Sequence, residues 1–262
     1  MSSPESDALP QERQQRILNQ LQATGRVVAN DLAIAFGVSE DSIRRDLRDL
    51  ASRGLCRRVY GGALLPTPQF DALPARIQRT DDGRSALAAY AASLIQPGQV
   101  ILLDAGSTNV VIAQLLRDKK VTVVTNAPAV ADALAGESAT DVLMIGGKID
   151  PQSGGAIGAI ALQQLMQVQA DVCIPGACAV DPETGVWGIN VEECAFKQAM
   201  IRVSGMTLIV ATHEKIGARA SFRIAGIDQV DHLVIADSIS AELRERFATD
   251  SLRVHTVAVG AA

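Results

Sequence analysis

The spacing of apolar residues along the chain changes once. Up to Leu64 they recur at helical intervals in short blocks, and from Pro97 onward they form compact Val/Ile/Leu runs separated by helical stretches. Pro10 to Thr24 predicts an amphipathic helix with Ile17, Leu18 and Leu21 inward and Arg13 and Arg16 outward. Val27-Val28 suits a short strand. Leu32, Ala33 and Phe36 mark one face of a second helix, and Gly37 can end it by taking positive φ. Ser39 then suits the cap of a third helix, with Glu40 and Asp41 in its first turn, where carboxylates meet the positive helix end. Ile43, Leu47 and Leu50 face inward along that helix.

This arrangement leaves Arg44, Arg45 and Arg48 projecting outward. Two short helices joined by a glycine turn, the second carrying an arginine face, have the form of a DNA-reading helix-turn-helix. Ser39 and Ser42 lie at the start of the reading helix. After it, LCRRVYGGALL offers two strand-like runs around Gly61-Gly62, where paired glycines supply positive φ for a tight hairpin. Helix, helix-turn-helix and hairpin in that order predict a winged helix over 11–64, and Arg57, Arg58 and Tyr60 on the hairpin can reach phosphates. Residues 1–10 are polar and acidic and are expected to be disordered. Three prolines without periodicity in LPTPQFDALP place an interdomain linker at 65–80.

The remainder, 81–262, opens with a helix at Asp81–Ile95 and then alternates strands with helices. The runs Val100–Leu103, Val121–Thr125, Val142–Ile145, Val172–Ile174, Thr207–Ala211, Leu233–Ala236 and Val254–Val259 predict a mostly parallel sheet covered on both faces, so the fold class is α/β. Ligands of such sheets bind at the carboxyl ends of strands. There the chain offers Asp104-Ala-Gly106-Ser107-Thr108, then Thr125-Asn126, Gly146-Gly147-Lys148, and Thr212-His-Glu-Lys215. Glycine for close approach, hydroxyl donors and a helix start suit an anion such as phosphate. Gly106, Ser107 and Thr108 are expected to hold it, with countercharge from Lys148 and Lys215. Asp104 would repel a phosphate, so it is assigned to sugar hydroxyls.

Composition narrows the alternatives. Hydrophobic residues make up 48% and aromatics only 3%, so the cores are built from Ala, Val, Leu and Ile. No apolar run approaches the ~18 residues of a membrane span, and the polar amino terminus does not resemble a signal peptide, which points to the cytoplasm. The net charge is −5, yet Met1 to Ala63 holds nine arginines against eight acids, with the arginines gathered at 44–58. A small basic patch on an acidic body fits a selective DNA reader. Four cysteines without CxxC spacing argue against a metal site or disulfide framework. Gly154-Gly155-Ala-Ile-Gly158 follows no strand and lacks the dinucleotide pattern, so no cofactor is expected. The three histidines are scattered and suggest no catalytic dyad.

Taken together, the chain resembles the DeoR family of bacterial transcription regulators over nearly its whole length. Arg13, Ile17, Leu21, Ser39, Ser42, Ile43, Arg44, Arg45, Asp46 and Leu47 match the family's helix-turn-helix signature, with Ser42 where threonine is usual. RVYGGA resembles the family's RVHGGA, with Tyr60 for histidine. Asp104, Gly106, Ser107, Thr108, Thr125, Asn126, Gly146, Gly147, Glu193, Lys197, Lys215 and Gly217 match its sugar-phosphate-sensing domain, whose fold is related to ribose-5-phosphate isomerase. Two segments depart from the family pattern. Gly176-Ala-Cys178-Ala179 replaces Gly-Val-Asp-Gly, and Thr212-His-Glu-Lys215 replaces Asp-Ser-Ser-Lys. The resemblance implies a repressor of a sugar or polyol operon that binds double-stranded DNA as a homo-oligomer under control of a phosphorylated effector. A second reading is an isomerase-like enzyme using Glu193 and Lys197 as base and lysine. At i and i+4 on a helix, however, that pair suits a structural ion pair.

Overall fold

The computed structural model describes residues 10–64, 71–79, 82–136, 139–218 and 220–259. Of the expected disordered start (1–10), residues 1–9 lie outside the described residues and Pro10 opens a helix; parts of the expected linker (65–70, 80 and 81) also lie outside them. The chain divides into two compact units, the first made mainly of residues up to Pro68 and the second mainly of those from Gln69 on.

In the first unit α1 (Pro10–Thr24) leads into β1 (Arg26–Val28), α2 (Ala29–Phe36), α3 (Glu40–Ser52), β2 (Arg57–Val59) and β3 (Gly62–Leu64). Ile17, Leu21, Leu32, Ile43, Leu47 and Leu50 are fully buried at its centre. Gly37 closes α2 in the left-handed region, φ 64° and ψ 31°, with its N–H turned back to the carbonyls of Ala33 and Ile34. Ser39 Oγ accepts from the Ser42 N–H at 3.2 Å, which caps α3.

Two expectations change here. Arg13 is not solvated, because its Nε donates to Asp46 Oδ2 at 2.6 Å, and Asp46 also accepts from Gln14 at 3.3 Å. This buried carboxylate on the inner face of α3 ties that helix to α1. The two glycines of the wing also do different work. Gly61 takes φ 80° in the turn, but Gly62 is needed for closeness, since a Cβ there would lie 2.0 Å from the Val27 carbonyl oxygen. β3 runs between β1 and β2, antiparallel to both.

The second unit begins with α4 (Leu73–Gln78) and α5 (Asp82–Ser93). The chain read as linker therefore contains a helix of six residues, with Pro74 in its first turn and Leu73 buried. A proline is tolerated there because the first-turn N–H groups have no partner within the helix. Then follow β4 (Val100–Leu103), α6 (Ser107–Leu116), β5 (Thr122–Thr125), α7 (Pro128–Leu134), β6 (Asp141–Met144), β7 (Lys148–Ile149), β8 (Ala156–Ile157), α8 (Ala159–Leu165) and β9 (Ala170–Ile174). β10 (Ala179–Asp181), β11 (Gly185–Gly188), α9 (Val191–Arg202), β12 (Ser204–Val210), β13 (Phe222–Ala225), β14 (His232–Ala236), α10 (Ala241–Glu245) and β15 (Arg253–Val257) complete it.

The seven expected strands form one sheet in the order β15-β14-β12-β9-β4-β5-β6, with every neighbouring pair parallel. Successive side chains point to opposite faces. Ile101 and Leu103 join α5, α6 and α7 in one core, while Leu102, Val124 and Cys173 join α8 and α9 in another. That division explains why the inner strands read as unbroken apolar runs, while the edge strands β6 and β15 are exposed or half-buried. Hydrophobic spacing did not reveal the antiparallel sheet β10-β11-β13 or the hairpin β7-β8, whose strands hold only two to four residues.

β15 is held to its neighbours by a chain of rings. Tyr90 Oη lies 2.9 Å from His255 Nδ1, and His255 Nε2 lies 2.9 Å from His232 Nδ1, with the imidazoles stacked. Burial, then Arg253, lowers the His232 pKa; burial, then His232 and Arg253, lowers that of His255. A histidine whose folded pKa lies below its unfolded value contributes stability above the unfolded value, and that stability is lost as pH falls through the folded one. Thermal stability of the sensor unit is therefore expected to drop as pH falls below about 6.5, and to drop less in His255→Gln. Equal losses in both proteins would show that the ring chain is not responsible.

Candidate functional site

The outer face of α3 carries exposed Arg44, Arg45 and Arg48, since Ile43, Asp46, Leu47 and Leu50 occupy the inner face. Arg44 is engaged along its own helix, 2.7 Å from Glu40 and 3.9 Å from Asp41. Arg45 and Arg48 make no ion pair among the described residues and present their full charge. Ser39 and Ser42 Oγ lie 2.9 Å apart at the helix start. On the wing Arg57 and Arg58 are exposed along β2, and Tyr60 stands fully exposed at the tip. A helix with two uncommitted arginines beside a basic hairpin is suited to the major groove and the flanking phosphates.

In the second unit a pocket opens where β4, β9 and β12 end, at their carboxyl ends. Gly106, Ser107, Thr108 and Asn109 line one wall at the start of α6, and Asn109 fixes the turn by donating to the Asp104 and Ile174 carbonyls at 2.9 and 2.8 Å. Gly106 has an extended backbone, φ 175°, and a Cβ there would make ordinary contact with the Asn109 side chain at 3.9 Å. The amides of the first helical turn have no partner inside the helix and bring positive potential. Arg76, Gln152, Ser153, Cys178, Glu193, Lys197 and Lys215 also line the cavity.

Behind this wall lies a buried ion cluster. Lys197 Nζ is 2.5 Å from Glu193 Oε1 and 3.3 Å from Asp104 Oδ2, and Asp104 Oδ2 accepts from the Gly176 N–H at 2.9 Å. Burial alone would lower the Lys197 pKa, but Asp104 and then Glu193 outweigh it and hold the ammonium well above the ordinary lysine range. Burial pushes the Asp104 carboxyl up, against the pull of Lys197. Burial also raises the Cys178 thiol, which keeps it neutral, and lowers Lys215 and Arg76 from their usual values. Arg76, Lys197 and Lys215 bring three cations to the pocket wall, with Asp104 and Glu193 beside Lys197 and Glu214 acting on Lys215.

The structure brings together Gly106, Ser107, Thr108, Glu193, Lys197 and Lys215 from the expected set, with Asp104 directly behind them. The assignment of Asp104 to sugar hydroxyls is corrected, because its carboxylate is wholly buried and committed to Lys197 and Gly176. Thr125, Asn126, Gly146, Gly147 and Lys148 do not line the cavity. Thr125 Oγ1 donates to the Leu103 carbonyl at 2.6 Å and accepts from the Ala127 N–H at 3.0 Å, which stitches two strand ends. Asn126 donates to Ala156, and Gly146 donates to Gln164. Lys148 is exposed on β7 opposite Ile157, so it supplies no countercharge here. Sequence reading missed Arg76, concealed in a proline-rich stretch, and the Gln152-Ser153 loop. The one signal for that loop was Gly154-Gly155. A Cβ on Gly155 would lie 2.9 Å from Ala105 and Asn126.

A winged helix joined to an α/β unit with an anion-suited pocket defines a DNA-binding transcription regulator with its own ligand sensor. The chain belongs to the DeoR family. The family's helix-turn-helix profile, described as a DeoR-like helix-turn-helix domain, matches residues 13–69, and the DeoR C terminal sensor domain matches residues 80–237. A putative aga operon transcriptional repressor of Escherichia coli O157:H7 is 32% identical over 89% of this chain and 89% of its own length. The glycerol-3-phosphate regulon repressor of Escherichia coli K12 is 30% identical over 84% and 88%. Among solved structures, ribose 5 phosphate isomerase A from Neisseria gonorrhoeae is 18% identical with a TM-score of 0.40, covering 53% of this chain and 56% of its own.

Proposed function

We propose that this regulator is a repressor of an operon for sugar or polyol metabolism, and that a phosphorylated sugar or polyol in the sensor pocket controls its grip on DNA. The observation that carries the reading is the convergence of Arg76, Lys197 and Lys215 on the amino-terminal turn of α6. The names of the two bacterial relatives point the same way. Arg45 and Arg48 read the operator from α3, while Arg57, Arg58 and Tyr60 contact its phosphates. Two half-sites require two winged helices, so the protein works as a symmetric homo-oligomer, in the cytoplasm and without a cofactor. Catalysis is not part of this reading, because Glu193 and Lys197 are engaged with each other and with Asp104 rather than left open for proton transfer.

Gly106→Asp tests the reading. A Cβ is accommodated at Gly106 in ordinary contact with Asn109, and the new carboxylate would stand where the phosphate belongs. Effector affinity is expected to fall at least about a hundredfold, because like charges face each other in a confined site. Operator affinity without effector should not change, and light scattering of the operator complex should show at least two chains per duplex. A sugar phosphate that releases this variant from DNA as readily as the parent would place the phosphate site elsewhere.

A further inference from the structure

α4 reaches the pocket by one residue and is docked beside it by others. Arg76 lines the cavity together with Gln152 and Ser153. Leu73, only 2% exposed, donates its backbone N–H to the Gln152 carbonyl at 3.1 Å and packs against Gly154, where a Cβ would lie 2.7 Å from Leu73 Cδ2. Arg84 Nη1 donates to the Arg76 and Arg79 carbonyls at 3.0 and 3.2 Å. A helix of six residues does not hold itself in water, so α4 owes its fold to this docking. It is also the first described element after the wing in chain order, and it falls between the two family matches, which end at residue 69 and begin at residue 80.

We propose that α4 is the strap through which the pocket reports its occupancy. An anionic ligand pairs with the Arg76 guanidinium and holds α4 docked, and the docked helix restrains the chain that leads from the DNA-binding unit. The proposal rests on the effector reading above. A ligand shifts an equilibrium only by its differential affinity for the two states. Arg76 supplies that difference, because its charge reaches the ligand only while α4 lies against the 150–155 loop. Charge-assisted pairs of this kind are the stronger hydrogen bonds. The affinity gained on docking is thus the same free energy that ligand binding contributes to the docked helix.

Hydrogen-exchange mass spectrometry on the full chain bound to operator DNA tests this. The probes are inorganic phosphate, glycerol 3-phosphate and a set of aldose and ketose phosphates, with exchange in β4 and β9 as the control for an intact fold. An active probe is expected to slow exchange at residues 106–109 and, at the same concentration, at 73–79 by about tenfold. In Arg76→Gln, saturating probe should still slow 106–109 and no longer slow 73–79. Gly154→Ala displaces Leu73 from outside the pocket lining. It should bind operator as the parent does and keep the effect at 106–109, yet no longer be released by the probe. Slowing at 106–109 alone in the parent, or an unchanged effect at 73–79 in Arg76→Gln, overturns the strap and leaves the effector site standing. If no probe slows 106–109, the effector reading falls and takes the strap with it.

Discussion

Lys197→Met is expected to destabilise the sensor unit by about 3–5 kcal/mol, the usual consequence of removing one partner from a buried charge cluster. Methionine keeps much of the volume but strands two carboxylates, one with no exposed surface at Asp104 and one 8% exposed at Glu193. Burial already raises the Asp104 carboxyl against the pull of Lys197, and without that cation it should rise further. A raised folded pKa gives stability that is present below the unfolded value and lost as pH rises through the folded one. The deficit should therefore be largest near neutrality and shrink in acid. Adding Asp104→Asn should recover part of the loss, since the amide oxygen can still accept from the Gly176 N–H. Trp187, the single tryptophan, lies on β11 in this unit and reports its unfolding by fluorescence. A deficit under about 1 kcal/mol at neutral pH would mean that the cluster adds no net stability.

Gly62→Ala is expected to abolish operator binding without touching the sensor. The new methyl carbon would overlap the Val27 carbonyl oxygen at 2.0 Å and crowd Val28 Cα at 3.2 Å. Both contacts are backbone, and β3 is pinned between β1 and β2, so the strain cannot be relieved by a side-chain shift. Overpacking of this kind costs about 1–3 kcal/mol and occasionally more. That is a large share of the ~3–5 kcal/mol available to a domain this small. Circular dichroism should show loss of the winged-helix transition, with the Trp187 transition unchanged. Arg45→Ala, by contrast, should weaken operator binding by about 1–3 kcal/mol with no change in melting. Operator affinity of Gly62→Ala equal to that of Arg45→Ala, with both transitions intact, would show that the sheet can part to admit a side chain.

Sequence alone determined those features whose causes are local. α1 spans the residues its apolar spacing marks, Ser39 caps α3 as a serine before an acidic turn does, and Gly37 stands in the left-handed region where only a turn needs it. Seven apolar runs became the seven parallel strands; the five inner ones are largely buried and have no polar side to interrupt them, while the edge strands β6 and β15 are exposed or half-buried. The turn at Gly106–Thr108 was legible for the same reason, as a strand end passing directly into a helix.

Tertiary structure decided what depends on residues far apart in the chain. Asp104 follows β4 and Lys197 stands on α9, so no spacing rule could show that Asp104 is buried and paired with an ammonium. Lys148 follows a glycine pair at a strand end, as the pocket-lining turn follows β4, but the pairing of β7 with β8 carries it to the surface. Arg13 reads as a solvated helix residue until α3 presents Asp46 to it. Arg76 lies in a stretch whose prolines suggest an open linker, and only the fit of Leu73 against Gly154 and Gln152 folds that stretch into a helix and brings the guanidinium to the pocket. Local propensity sets where helices and strands begin and end, but the partner of a buried charge is chosen by packing, which spacing along one chain does not record.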